Sequence, residues 1–485
     1  MKYQWIVLSV TTVDIFMAGL DTRIVLIGLP TIAESLRTDL ETVLWVTQGY
    51  QFAITIGLLI LGRLTDIVGR VKIYNLGFAI FTLGSGLCIF AQTGEQLIIF
   101  RIIQGVGSAM LISNAIALVT DASPAEELGF ALGVNQIAFT LGAVLGLTVG
   151  GILIDTVGWR EIFALNIPIG IFGTVWAHLR LREISQTERH ASIDYLGLGL
   201  FTTSLTSLLI VISLTTMASI SEIGAAMLYL TSLITFGLFL YVELRVDAPL
   251  LDMQLFKIRL FSAGNISQLL WALGLGSLSL TIILYFEIIR GFDALTAGLL
   301  FLPIDVAFVC SGPMSGRISD RYGNARFLAT LGLGVATIGY TALAFLLTAT
   351  TPLEQVEIIL IVIGLGTGIF ASPNISTIML AVPPHRRGVA SAVRATIFNI
   401  GIVVSVGLVA YIITTVMPYQ LVSGLIIGGY TTLTPNDSKN LMTGIGRAFT
   451  VTAIITMIGM LPSRLRGPET SAQTTESPKT INLEM

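Results

Sequence analysis

Fourteen apolar runs are spread along the chain, beginning at roughly 5–29, 43–61, 73–92 and 96–119 and ending with the run near 443–461. Each is long enough to cross a bilayer, which takes about 20 mostly apolar residues in a helix. Strands of a membrane barrel would instead alternate over about ten residues. The runs here are dense in Leu, Ile, Val, Phe and Gly and do not alternate, so they specify helices. Composition agrees. Apolar residues make up 54% of the chain and charged residues only 11%, against about 25% charged in a soluble globular protein. A chain of 485 residues with so little charge cannot clothe a water-facing surface, so its solvent is the lipid bilayer.

The net charge of −3 gives no footing for a nucleic-acid partner. The N-terminal run could be mistaken for a signal peptide. It contains Asp14, Asp21 and Arg23 and is long enough to span, so it reads as a retained first helix. Cys88 and Cys310 both sit within apolar runs and read as buried thiols, with no metal site implied.

An even number of spans places both termini on one side, and basic loops mark the cytoplasm. With both ends cytoplasmic, the inner loops and tails hold nineteen Lys and Arg residues and the outer loops four (Arg37, Arg160, Arg290 and Lys439). Three more, Arg23, Arg101 and Arg447, lie within spans. The inner loop after the fourth span is an exception, carrying Asp121, Glu126 and Glu127. Residues 463–485 read as a polar, disordered cytoplasmic tail, and the outer segment 416–442 as a small hairpin or an interfacial piece.

The sequence repeats itself. Residues 62–70 are GRLTDIVGR and residues 316–324 are GRISDRYGN. The copies follow the second and tenth runs. Two related halves are common in secondary transporters, and a six-plus-six arrangement would place the second copy after the eighth run. Two helices are therefore inserted between the halves. The expected layout is an all-α membrane protein: a six-helix bundle over 1–190, two inserted helices over 191–258, a second six-helix bundle over 259–462, and the tail. In the repeated loop, Gly62 and Gly316 allow close helix approach. Asp66 can cap the next helix or pair with Arg70, and Gly69 permits a tight turn. Asp320 and Gly323 hold the matching positions. The plainer reading is a turn with topogenic charge.

The residues in order resemble the major facilitator superfamily, in particular its fourteen-helix drug:proton antiporter branch. LDTRIV at 20–25, GRLTDIVGRVK at 62–72, RIIQGVGSA at 101–109, GWREIFALNIPIG at 158–170, ELRVDAPLLDMQLFKIRLF at 243–261 and RRGVASAVRATIFNIG at 386–401 each look like a motif of that branch. The resemblance implies alternating access, the proton as coupling ion without another cofactor, and a monomer. The fifth-helix antiporter motif is here GAVLGLTVGG, with Gly142, Gly146, Gly150 and Gly151 kept and Leu147 where the branch has Pro. Arg23 is a second departure, standing where an uncharged residue is expected.

Charges in the bilayer centre cost about 2.5–3.5 kcal/mol each even on a lenient scale, so they need a reason. Asp21 is the first candidate for proton coupling: proton and cationic substrate would compete for one negative charge. A structural Asp21–Arg23 pair is the alternative. Asp305 follows Pro303, which frees a carbonyl and can open the helix, a setting that suits cation or proton binding as well as plain packing. Arg101 matches the fourth-helix arginine that the resemblance ties to proton transfer. Asp14 stands two helical turns before Asp21 and can share its face. No Walker-type loop, nucleophile arrangement or zinc-binding motif is present, which argues against ATP hydrolysis and enzyme chemistry. The expected function is export of small lipophilic or cationic compounds from the cell in exchange for protons. A proton-independent or dedicated carrier of a metabolite, lipid or amino acid is the alternative.

Overall fold

Hydrocarbon offers no water to peptide groups, so each spanning run pairs its amides and carbonyls internally as a helix. The computed structural model describes residues 2–467 apart from 39, 185–193, 217–219, 247–248 and 428–432. In chain order the helices are α1 (Tyr3–Leu36), α2 (Leu40–Val68), α3 (Arg70–Ile89), α4 (Gly94–Ala122), α5 (Ala125–Thr156), α6 (Glu161–Ala164), α7 (Asn166–Arg180), α8 (Tyr195–Thr216), α9 (Glu222–Glu243), α10 (Arg259–Leu284), α11 (Ala294–Tyr322), α12 (Ala325–Leu346), α13 (Leu353–Leu380), α14 (Arg387–Thr414), α15 (Tyr419–Ile427) and α16 (Pro435–Arg464). With α6 and α7 forming one span and α15 too short to cross, fourteen segments are long and apolar enough to span a membrane. Among the described residues there is no strand.

Polar residues set the helix ends. The Thr93 side chain accepts from the Gln96 amide, Asp293 caps through the Thr296 amide, and Thr434 with Asp437 forms a reciprocal capping box. Gly69 at φ 112° turns α2 into α3, and Gly323 at φ 61° ends α11 in a left-handed cap.

Packing repeats from one half to the other. In the first half α1 packs on α5, α2 on α4 and α3 on both α4 and α7. In the second, α10 packs on α14, α11 on α13 and α12 on both α13 and α16. The halves meet along a seam where α2 lies on α14 and α5 on α11. The inserted helices α8 and α9 pack on each other, and α8 also touches α2 and α14. Phe201, Phe239, Leu250 and Leu255 of the inserted segment join Leu59 of α2 and Val389 of α14 in one buried cluster. The insertion therefore covers the seam.

Three expectations need correction or narrowing. Cys310 is exposed, because it lies on an outward face of α11; Cys88 is buried and both thiols are free. Part of the outer segment 416–442 is helical, as α15, and 428–432 lie outside the described residues. The proposed tail begins too early: Ser463 lies within α16 and Arg466 is buried, where its guanidinium bonds Asn374 of α13. Residues 468–485 lie outside the described residues.

Candidate functional site

Asp21 sits in the interior of the first half, fully buried, where α1, α4 and α7 converge. Its carboxylate has three donors. Arg101 Nη1 lies 2.8 Å from Oδ2, while Gln104 Nε2 and Asn166 Nδ2 lie 3.0 and 2.8 Å from Oδ1. Arg101 also donates to Gln104 Oε1 at 2.6 Å, and its guanidinium stacks 4.0 Å from the centre of the Tyr50 ring. Gln104 Nε2 is in turn 3.0 Å from Ser85 Oγ. The expected alternative, an Asp21–Arg23 pair, is not what forms. Residues two apart on a helix face different ways, so Asp21 turns inward to α4 while Arg23 stands elsewhere on α1. Gln104 and Asn166 were missed in the sequence. The available signal was that Gln104, three residues past Arg101, shares its helical face.

Asp14 is also buried on α1 and accepts from the Tyr74 hydroxyl of α3 at 3.0 Å. Asp14 and Asp21 thus both point into the first half. Asp305 and Arg23 behave differently. Each is half-buried, on α11 and α1 respectively, and Arg23 acts electrostatically on Asp305 from the other half of the molecule. Among the described residues the two form no contact ion pair. The glycines of the fifth-helix motif serve α1. A Cβ at Gly142 would overlap the Phe16 carbonyl, and one at Gly146 would lie 2.6 Å from the Leu20 carbonyl oxygen. Gly150 is buried and Gly151 half-buried, and α5 runs unbroken through position 147, whose side chain lies outside the described residues. The motif therefore presses α5 against the stretch of α1 between Asp14 and Asp21.

The repeated loops join the two halves at one end of the seam. Asp66 Oδ2 accepts from the Val389 amide at 3.1 Å, at the start of α14. Asp320 accepts from the Gly129 and Phe130 amides at 3.1 and 3.0 Å, near the start of α5. The expectation that Asp66 caps the following helix is corrected: the N-cap of α3 is Gly69 with no side-chain cap, and Asp66 reaches across the seam. Close crossing makes this possible. A Cβ on Gly62 would overlap Ala392, and one on Gly316 would overlap Gly129. Arg70 stands 3.5 Å from Asp66, bonds Asp121 of α4 and donates to the Pro384 carbonyl at 2.8 Å. Arg387 pairs with the same Asp121 at 3.0 Å. That accounts for an acidic residue in an otherwise basic end. Gln51 and Asn399 continue the seam deeper into the membrane.

Among the described residues no cluster of His, Cys, Asp and Glu could hold a metal ion. A fold of two six-helix halves with buried intramembrane charge and a loop repeated at the seam defines a secondary transporter of small molecules. The Major Facilitator Superfamily model matches residues 15–406, and the chain belongs to that family. It is 34% identical over 82% of its length to the riboflavin transporter RibZ of Clostridioides difficile, covering 86% of that protein. It is 29% identical over 84% of its length to multidrug resistance protein 3 of Bacillus subtilis, covering 79% of it. With the multidrug efflux pump LfrA of Mycolicibacterium smegmatis it shares 28% identity over 84% of this chain and 81% of that one. The crystal structure of the human organic anion transporter MFSD10 (TETRAN) superposes with a TM-score of 0.60 at 14% identity, over 93% of this chain and 99% of that one, and shares the fold. The chain is a multi-pass membrane transporter and not an enzyme.

Proposed function

We propose that the protein exports small lipophilic or cationic compounds across the plasma membrane in exchange for protons, as a monomer with both ends in the cytoplasm. The observation that carries this reading is the Asp21–Arg101 pair, buried in the membrane and tied to Gln104 and Asn166. A buried pair of this kind costs desolvation energy that apolar residues would avoid, so a switching role accounts for it better than stability. Protonation of Asp21 would weaken its hold on Arg101 and free the guanidinium to rearrange against Tyr50 and α7. That movement reaches α5 through the glycine contacts on α1, and α5 meets Asp320 at the seam. Asp305 and Arg23, half-buried in opposite halves, are the charged groups suited to meet the substrate. In this state the seam is closed at the end that carries the basic loops, the cytoplasmic end in the proposed orientation.

A second reading has its own support: the relative from Clostridioides difficile is named for a single metabolite. The chain would then be a dedicated carrier, with or without proton coupling. Proton counterflow in liposomes separates the readings. The purified protein would be reconstituted with an internal pH dye and given a panel of lipophilic cations, beside Asp21→Asn and Asp305→Asn. Substrate-driven proton movement that fails in Asp21→Asn is expected. Substrate flux with no proton signal, unchanged in both variants, would sink the antiport reading.

A further inference from the structure

Inside the second half, α10, α13 and α14 bring together an aromatic layer and, one helical turn nearer the basic end, a polar layer. Trp271 of α10 meets Phe370 of α13 and Phe398 of α14, with ring centres 5.3 and 5.4 Å apart. Gln268, Asn374 and Arg394 lie three or four residues from these on the same three helices, and so occupy the same faces one turn away. Their contacts bear out the register. Gln268 donates to the Arg394 carbonyl at 3.1 Å, Asn374 stands 3.5 Å from Gln268 Oε1, and the buried Arg466 guanidinium bonds Asn374 Oδ1.

The layer is rich in donors and poor in acceptors. Arg394 is only 8% exposed, and among the described residues its guanidinium meets no carboxylate and its Nε has no hydrogen-bond partner. Trp271, 6% exposed, leaves its indole N–H unpaired as well. A guanidinium buried within the helix bundle with no counter-charge among the described residues is costly and marks a site that something else completes.

The geometry points to this double layer as a binding site for planar aromatic compounds that carry an anionic group on the edge, the ring lying against Trp271 and Phe398 and the anion on Arg394. Stacking supplies affinity for the faces of the ring, and the guanidinium fork supplies selection for a carboxylate-like edge. The inference goes beyond the proposed function, whose substrates are lipophilic or cationic, by adding aromatic anions, and it does not depend on proton coupling.

Equilibrium dialysis on the full-length protein in lipid nanodiscs, with no ion gradient, tests it with 2-naphthoate and its uncharged counterpart 2-naphthamide. The unmodified protein should bind naphthoate about tenfold or more tightly than naphthamide, the ratio expected of a desolvated charge pair. Arg394→Gln should abolish that preference, and Arg394→Lys should retain part of it. Equal binding of the two probes by the unmodified protein would overturn the inference whatever the variants do. A preference that survives in well-folded Arg394→Gln would overturn it too. Because no gradient is used, loss of antiport in the liposome experiment leaves this result untouched, and the reverse also holds.

Discussion

Gly62 and Ala392 are in contact across the seam with no room for another carbon, and Gly316 meets Gly129 in the same way on the other side of the molecule. The two copies of the repeated loop therefore do the same mechanical work. Each brings a helix of one half against a helix of the other, and each sets an aspartate on that second helix's amides near its start. An acceptor there also meets the positive end of the helix dipole.

Gly62→Ala should hinder closure of this end. Overpacking a tight contact costs about 1–3 kcal/mol, enough to shift the balance of the two states by roughly five- to 150-fold. Spin-label distances across the basic end should lengthen, and transport should fall while the protein still folds. Ala392→Gly in the same chain should restore part of the loss. Unchanged distances in Gly62→Ala would show that the contact does not hold the state.

Removing Asp66 acts on the same equilibrium through a hydrogen bond. Asp66→Ala leaves the Val389 amide unpaired and removes a neighbour of Arg70. A hydrogen bond to a charged group contributes about 1.5–3 kcal/mol. The closed fraction should drop about tenfold or more, read by thiol labelling of a cysteine placed beside Pro384. Asp320→Ala should do the same from the other side of the seam, and the double variant should lose closure more fully than either.

Arg101→Ala strips Asp21 of the one cation that it meets among the described residues and leaves a carboxylate in the membrane with two amide donors. Breaking a buried pair on one side typically costs about 3–5 kcal/mol. Thermal stability should fall sharply in Arg101→Ala, less in Arg101→Gln, and should partly recover in the double variant Asp21→Asn with Arg101→Gln. A double variant no more stable than Arg101→Gln would show that the two side chains are not energetically coupled.

Arg23 and Asp305 should behave as substrate-facing groups. Both are half-buried, and among the described residues they form no contact ion pair. Exchanging either for a neutral residue breaks no contact ion pair among the described residues and should leave the protein folded. It should nevertheless alter the transport of charged substrates relative to neutral ones, with Asp305→Asn acting most on cations. Equal loss for every substrate, with normal stability, would place these residues in the mechanism of movement and not in recognition.

Much of this protein is set by its sequence alone. Fourteen apolar runs fix fourteen helices, since a chain in hydrocarbon must bond its own backbone, and the repeat at 62–70 and 316–324 fixes the order of the halves. The charges that need a reason, Asp14, Asp21, Arg23, Arg101 and Asp305, stand out because each interrupts an apolar run. Their partners could not be read in the same way. Asp21 lies two residues from Arg23 and eighty from Arg101, yet it pairs with Arg101, because helical rotation turns neighbours apart and packing brings distant helices together. Asp66 finds Val389 across 323 residues, and Asp121 is shared by Arg70, 51 residues before it, and Arg387, 266 residues after it, for the same reason. Local periodicity determines which residues are helical and which are costly to bury. Only the crossing of the helices decides which of them meet.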